Sequence, residues 1–205
     1  MSWERIQIPP PMVQSSRHGA VTAITKLEDD RMVLILDVEK VLAELHPRSE
    51  EEFFLGIERH DALAGKRILV ADDSLVARKQ ITKTLERLGM KYEEAQTGKE
   101  ALTRLRRYAE LGEKTERTIF DFLVGVITDI EMPEMDGFSL TKAIREDPRL
   151  QGLPILMHSS LSGRCNVDRG KILGVTDYVT KFHPTDLRDK LVEHLGTLQG
   201  DFVRA

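Results

Sequence analysis

From Lys66 onward, short apolar runs alternate with helix-spaced patterns five times over, and this alternation narrows the possible folds more than any other feature of the chain. Ile68-Leu69-Val70-Ala71 is a continuous apolar run, the pattern of a strand buried on both faces. A helix is predicted from about Ser74, with Ile81, Leu85 and Leu88 at i, i+4 and i+7, stopping at Gly89. Further strands are predicted over 92–95, 122–128, 154–158 and 175–179. Helices are predicted over 98–111, 137–146, 166–173 and 185–198, the last with Leu187, Leu191, Val192 and Leu195 on its apolar face. Five βα units in succession give an α/β fold, a parallel sheet with helices on both faces wound by right-handed crossovers.

Residues 1–45 follow a different pattern. Pro9-Pro10-Pro11 precedes two β-rich stretches, 20–27 and 32–38, with a hairpin turn predicted at Glu28-Asp29-Asp30-Arg31. A helix is then predicted from Asp37, with Val38, Val41, Leu42 and Leu45 at helical spacing and an end near His46-Pro47. One hairpin and one helix are marginal in water, so this block reads as a small, incomplete β-rich segment. Residues 46–65, charged and broken by Pro47, Gly56 and Gly65, read as a linker whose Phe53, Phe54, Leu55 and Ile57 pack against something. Residues 199–205 read as a tail.

Composition excludes several classes. The 205 residues allow one domain plus a remainder or two small ones, at roughly 100–200 residues per domain. Thirty Lys and Arg against 34 Asp and Glu leave a net charge of -4, without the basic footprint of a nucleic-acid binder. The longest apolar run, Met32 to Leu36, is far short of the ~18 residues of a membrane span. The start carries Trp3, Glu4 and three prolines rather than a secretory signal. The single cysteine, Cys165, has no partner for an internal disulfide or a CxxC site. The expectation is a soluble cytoplasmic protein.

The chemistry lies where polar residues meet strand ends. Asp72-Asp73 follow the first predicted strand, Asp129 the third, Ser159 the fourth and Lys181 the fifth. In an open α/β sheet the ligand crevice lies beyond the carboxyl ends of the strands, so all five converge there. Singly, an Asp pair before a helix is an ordinary N-cap, and a Ser or Lys after a strand is an ordinary loop residue. Agreement at four strand ends points to a site. Clustered carboxylates repel and hold protons unless a cation intervenes, and an all-oxygen set favours Mg²⁺. With the metal present, one carboxylate stays ionised and attacks phosphorus; Asp129 is the candidate. Lys181 serves as a point charge and Ser159 as a hydroxyl donor to the phosphoryl oxygens.

Residues 66–198 resemble the receiver domain of two-component response regulators. The motifs that carry the resemblance are Leu69-Val70-Ala71-Asp72-Asp73-Ser74, Val126-Ile127-Thr128-Asp129-Ile130-Glu131-Met132-Pro133-Glu134-Met135-Asp136-Gly137-Phe138, Leu153-Pro154-Ile155-Leu156-Met157-His158-Ser159-Ser160 and Tyr178-Val179-Thr180-Lys181. It implies a flavodoxin-like sheet of strand order 2-1-3-4-5. It implies that Asp73, Asp129 and the Glu131 backbone carbonyl ligate Mg²⁺, that Asp72 acts through water, and that Asp129 accepts a phosphoryl group from a phosphohistidine. It further implies a switch in which Ser159 moves toward the phosphoryl group and Tyr178 follows inward, with Glu131 and Leu161 tuning dephosphorylation. Two departures stand out. Phe182, not Pro, follows the lysine, so a trans Lys181–Phe182 bond, or else a strained cis one, is expected. The stretch from Gly98 to Asp129 is also long, so 112–118 reads as an extended helix end or a mobile loop.

The segments 2–11, 18–27 and 32–42 resemble the end of a CheW-type coupling domain. Joined to a receiver, they resemble the CheV family of chemotaxis adaptors, in which Lys-Phe at positions 181–182 also fits. That resemblance implies the histidine kinase CheA as phosphodonor and chemoreceptor signalling tips as partners, with no nucleic acid and no membrane insertion. It implies a phospho-accepting signalling protein, not an enzyme, beyond autocatalysis of its own phosphorylation and dephosphorylation. Only the last third of a coupling domain is present, so a fragment, a mis-started reading frame or a truncated gene is expected, with unpaired strand edges exposed. Two alternatives remain: a scaffold that is never phosphorylated, and an aspartyl-phosphate phosphatase. The phosphatase normally needs an Asp where Glu131 stands.

Overall fold

The computed structural model describes residues 21–26, 31–36, 50–159 and 164–198, and the chain divides between Phe53 and Phe54 into two units. In the first unit, β1 (Val21–Lys26) pairs antiparallel with β2 (Met32–Leu36), Ile24 opposite Leu34 and Lys26 opposite Met32. The pairing is irregular between Val21 and Ala23. Thr25 is buried, whereas Met32 and Leu34 are exposed. A short helix, α1 (Glu50–Phe53), closes the described part of this unit. The helix predicted from Asp37 and most of the predicted turn lie outside the described residues.

The second unit holds β3 (Arg67–Ala71), α2 (Leu75–Leu88), β4 (Lys91–Ala95), α3 (Gly98–Thr115), β5 (Val126–Thr128), α4 (Gly137–Glu146), β6 (Ile155–Ser159), α5 (Arg164–Leu173), β7 (Asp177–Thr180) and α6 (Pro184–Leu195). All five strands are parallel, in the order β4-β3-β5-β6-β7, which is 2-1-3-4-5 counted within the unit. β6 is buried along its whole length, and β3 at all but its first residue, as apolar runs covered on both faces require. Leu69, Leu105, Val126, Leu140, Ile144 and Ile155 lie in one core cluster on one side of the sheet.

Local chemistry places the helix ends. Ser74 caps α2 by accepting from the Ala77 N–H, and left-handed Gly89 (φ 79°) ends it. Asp136 caps α4 by accepting from the Ser139 N–H at 2.6 Å.

One open reading is resolved and two expectations shift. Of the two readings of 112–118, the extended helix end holds as far as Thr115, where α3 stops. The apolar run read as a strand from 122 splits. Asp121 Oδ2 accepts from both the N–H and the hydroxyl of Thr118, which turns residues 119–121 into a 3-10 turn. Ile119 and Leu123 are buried from that turn, Phe122 stacks on Tyr108 at 5.4 Å, and the strand itself is Val126–Thr128. Residues 54–65, read as linker, belong to the second unit. Phe54, Ile57 and Leu63 are buried, Arg87 lies 4.9 Å over the Phe54 ring, and the His60 and Gly65 N–H groups donate to Leu88 and Gly89. Just beyond this strap, Lys66 is buried with its ammonium on the Leu195 and Gly196 carbonyls at 2.7 and 3.3 Å.

Candidate functional site

At the carboxyl ends of the strands, β3 delivers Asp72 and Asp73, β5 delivers Asp129, β6 ends at Ser159 and β7 leads into Lys181. The Asp129 N–H donates to the Ala71 carbonyl at 2.8 Å, which sets the two acidic strand ends side by side. Asp72, Asp73 and Asp129 each offer an oxygen within 4.8 Å of the others. Asp72 is 0 % exposed, Asp129 6 % and Lys181 5 %, whereas Asp73 is exposed at the mouth.

Three of the four buried carboxylate oxygens of Asp72 and Asp129 accept a hydrogen bond, and Asp72 Oδ2 does not. Asp129 Oδ1 accepts from the Ile130 N–H at 2.7 Å, and Oδ2 accepts from Lys181 Nζ at 3.0 Å. Asp72 Oδ1 accepts from the Ser74 N–H at 2.9 Å, and its Oδ2 lies 3.4 Å from Lys181 Nζ and 3.7 Å from His158 Nδ1. Burial pushes the Asp129 carboxyl up to about 6 against the pull of Lys181, and the nearby charge of Asp72 pushes the same way. A cluster of three carboxylates with only oxygen donors, Asp72 and Asp129 buried and Asp73 at the mouth, fits a small divalent cation. A second group, Asp177, Glu193 and His194, also lies within ligand spacing, but Lys190 Nζ already sits 2.6 Å from Asp177 Oδ2.

Below the site the chain turns back through residues 130–136. A Cβ at Gly137 would collide with the Asp129 carbonyl oxygen, so only glycine permits that close return. Glu131 is exposed within this turn. After Lys181 the peptide bond is trans, and Phe182 takes φ 64°, a left-handed conformation that costs a bulky residue about 1–2 kcal/mol. Ser159 is buried, and its carbonyl accepts from the Lys181 N–H at 3.1 Å. Tyr178 is half-buried against Ile130, Phe138, Met157 and Val175, and its hydroxyl meets the backbone of Gly170, where a Cβ would collide with it. Leu161 lies outside the described residues.

Two residues of the site are not among the sequence candidates. Arg78 is buried, donates to the Asp72 carbonyl at 2.6 Å and pairs with Glu94 at 3.3 Å. Among the described residues, His158 is the one imidazole in a fully buried strand, and that polar break in an apolar run was its sequence signal.

The strand ends, the acidic cluster and the lysine define a class, and family comparison agrees with the geometry. Residues 68–192 match the response regulator receiver domain model and residues 1–46 the CheW-like domain model. The chain therefore belongs to the response regulator receiver family. Among its relatives, chemotaxis protein CheV2 of Helicobacter pylori is 30 % identical over 181 residues, 88 % of this chain and 55 % of the relative. Chemotaxis protein CheY1 of the same organism is 38 % identical over 64 % of this chain and 98 % of its own length. The Mg²⁺ complex of the receiver domain of the histidine kinase CKI1 from Arabidopsis thaliana superposes with a TM-score of 0.59 at 28 % identity, covering 66 % of this chain and 95 % of that one. The chain spans about half the length of the CheV relatives it matches. Among the described residues, no helix is long and apolar enough to cross a membrane.

Proposed function

We propose that this chain is a chemotaxis adaptor whose receiver unit accepts a phosphoryl group on Asp129 and changes conformation in response. The observation that carries this reading is the buried Lys181 ammonium, 3.0 Å from Asp129 Oδ2, beside two further carboxylates within ligand reach. The phosphodonor is a phosphohistidine of the kinase CheA, and the CheW-like segment addresses the adaptor to receptor tips and kinase.

The chain's own groups account for most of the transfer. The Ile130 N–H fixes one Asp129 oxygen. With its carboxyl pushed up to about 6, Asp129 is largely ionised at neutral pH and nucleophilic. A bond forms from an Asp129 oxygen to phosphorus as the phosphorus–nitrogen bond breaks, and the imidazole leaves. Lys181 and the Ser159 hydroxyl neutralise and orient the transferred oxygens. Asp73, Asp129 and the Glu131 carbonyl would hold Mg²⁺ directly, with Asp72 through water; when bound, the ion offsets the negative charge gathered between carboxylates and phosphoryl group. Ser159 and Tyr178 form the switch, while Glu131 and Leu161 tune the lifetime of the acyl phosphate.

Intact mass after incubation with acetyl phosphate tests the reading. Wild type gains one phosphoryl group only with Mg²⁺, and Asp129→Asn gains none. A folded wild type that gains nothing makes the chain a scaffold.

A further inference from the structure

We propose that His158 is a positioning residue that holds the outer oxygen of Asp72 through an Nδ1–H donor. This inference rests on the divalent-cation reading of the acidic site.

The argument starts from an imbalance. Asp72 and Asp129 are both buried and must each satisfy two carboxylate oxygens. Backbone N–H groups of Ser74 and Ile130 take one oxygen of each. The two remaining oxygens face a single ammonium, Lys181, which stands closer to Asp129 (3.0 Å) than to Asp72 (3.4 Å). In the reaction proposed above, that ammonium turns to the phosphoryl oxygens on Asp129, drawing further from Asp72. Among the described residues, the other nitrogen close to Asp72 Oδ2 is His158 Nδ1, at 3.7 Å. This is a few tenths of an ångström beyond hydrogen-bond length, so a small ring rotation closes it.

A buried imidazole in an otherwise apolar strand is ordinarily a core residue. What singles out His158 is the place of its Nδ1, 3.7 Å from Asp72 Oδ2. β6 is buried at every position, and its register against β5 and β7 carries His158 to the floor of the acidic site rather than to the middle of the sheet. A neutral imidazole with the proton on Nδ1 supplies a donor without adding a second charge near Lys181. Fixing Asp72 in this way keeps its free lone pairs aimed at the water that it would share with the cation. Outer partners of this kind commonly set metal affinity by tenfold or more.

Titration calorimetry with Mg²⁺ on the full chain tests this, using wild type, His158→Asn and His158→Leu. The Asn amide nitrogen takes the place of Nδ1 as a donor, whereas Leu fills the space without one. The expected result is binding by His158→Asn within about threefold of wild type and by His158→Leu about tenfold weaker. Thermal unfolding should rank the variants differently, because leucine suits a buried strand at least as well as asparagine. Equal affinity for wild type and His158→Leu, or an Asn variant as weak as the Leu variant, overturns the proposal while leaving the cation site intact. Absence of Mg²⁺ binding by wild type overturns both. Nitrogen NMR of wild type supplies a readout that does not depend on variants folding: the Nδ1–H tautomer is expected, and the Nε2–H tautomer excludes the role.

Discussion

Two buried lysines stand at opposite ends of the same sheet. Lys66 precedes β3, and its ammonium caps the carbonyls at the C-terminus of α6. Lys181 follows β7 and faces two carboxylates. Burial is similar, at 9 % and 5 % exposure, so desolvation alone does not separate them. What separates them is the partner. Backbone carbonyls carry fixed dipoles and neither gain nor lose protons, so Lys66 forms a permanent tie. Carboxylates bind protons and cations, so the charge that Lys181 meets depends on what occupies the site.

Breaking each tie sharpens the contrast. The largest effect is expected for Lys181→Met, which should slow Mg²⁺-dependent phosphoryl uptake about 100-fold or more, followed by mass spectrometry. It should also raise the Asp129 carboxyl further, so its stability loss at neutral pH should shrink as the pH is lowered and that carboxyl takes up its proton. Asp129→Asn comes next. Folding raises this carboxyl from 3.8 to about 6, so the folded state holds the proton more tightly than the unfolded one. The stabilising contribution is complete below about pH 4 and is lost as the pH rises through about 6. Replacement by a neutral amide should therefore stabilise by roughly 3 kcal/mol at pH 7.5 and by well under ~1 kcal/mol at pH 4, as read by urea unfolding. The smallest effect is expected for Lys66→Met, with about 1–2 kcal/mol lost at all pH values between 5 and 8 and phosphoryl uptake within twofold of wild type. A pH-dependent loss there, or a pH-independent one for Lys181→Met, would erase the distinction.

The sheet order and the convergence of Asp72, Asp73, Asp129 and Lys181 were legible because a strand-end rule acts on local pattern. Ile68 to Ala71 and Ile155 to Met157 declare themselves as buried strands, and the residue that follows such a strand must lie at its carboxyl end. The run from Phe122 to Thr128 misled because apolar content is shared by strands and by the covered side of a turn. The hydrogen bonds from Thr118 to Asp121 decided between them, and those lie upstream of the run. The strap was half visible: Phe54 and Ile57 signalled packing, but their partner surface near Leu88 is about thirty residues away and set by tertiary contact. Lys66 could not be paired from sequence at all, since its carbonyl acceptors lie 129 and 130 residues further on.

The contact between Tyr178 and Gly170 couples a side chain to a helix backbone. The ring stands where any residue other than glycine at position 170 would carry its Cβ, so the tyrosine covers the helix backbone at that point. In the switch proposed above the ring leaves this position, and water would then reach the Gly170 peptide group. Amide exchange in this helix should therefore track the tyrosine without any probe attached to it.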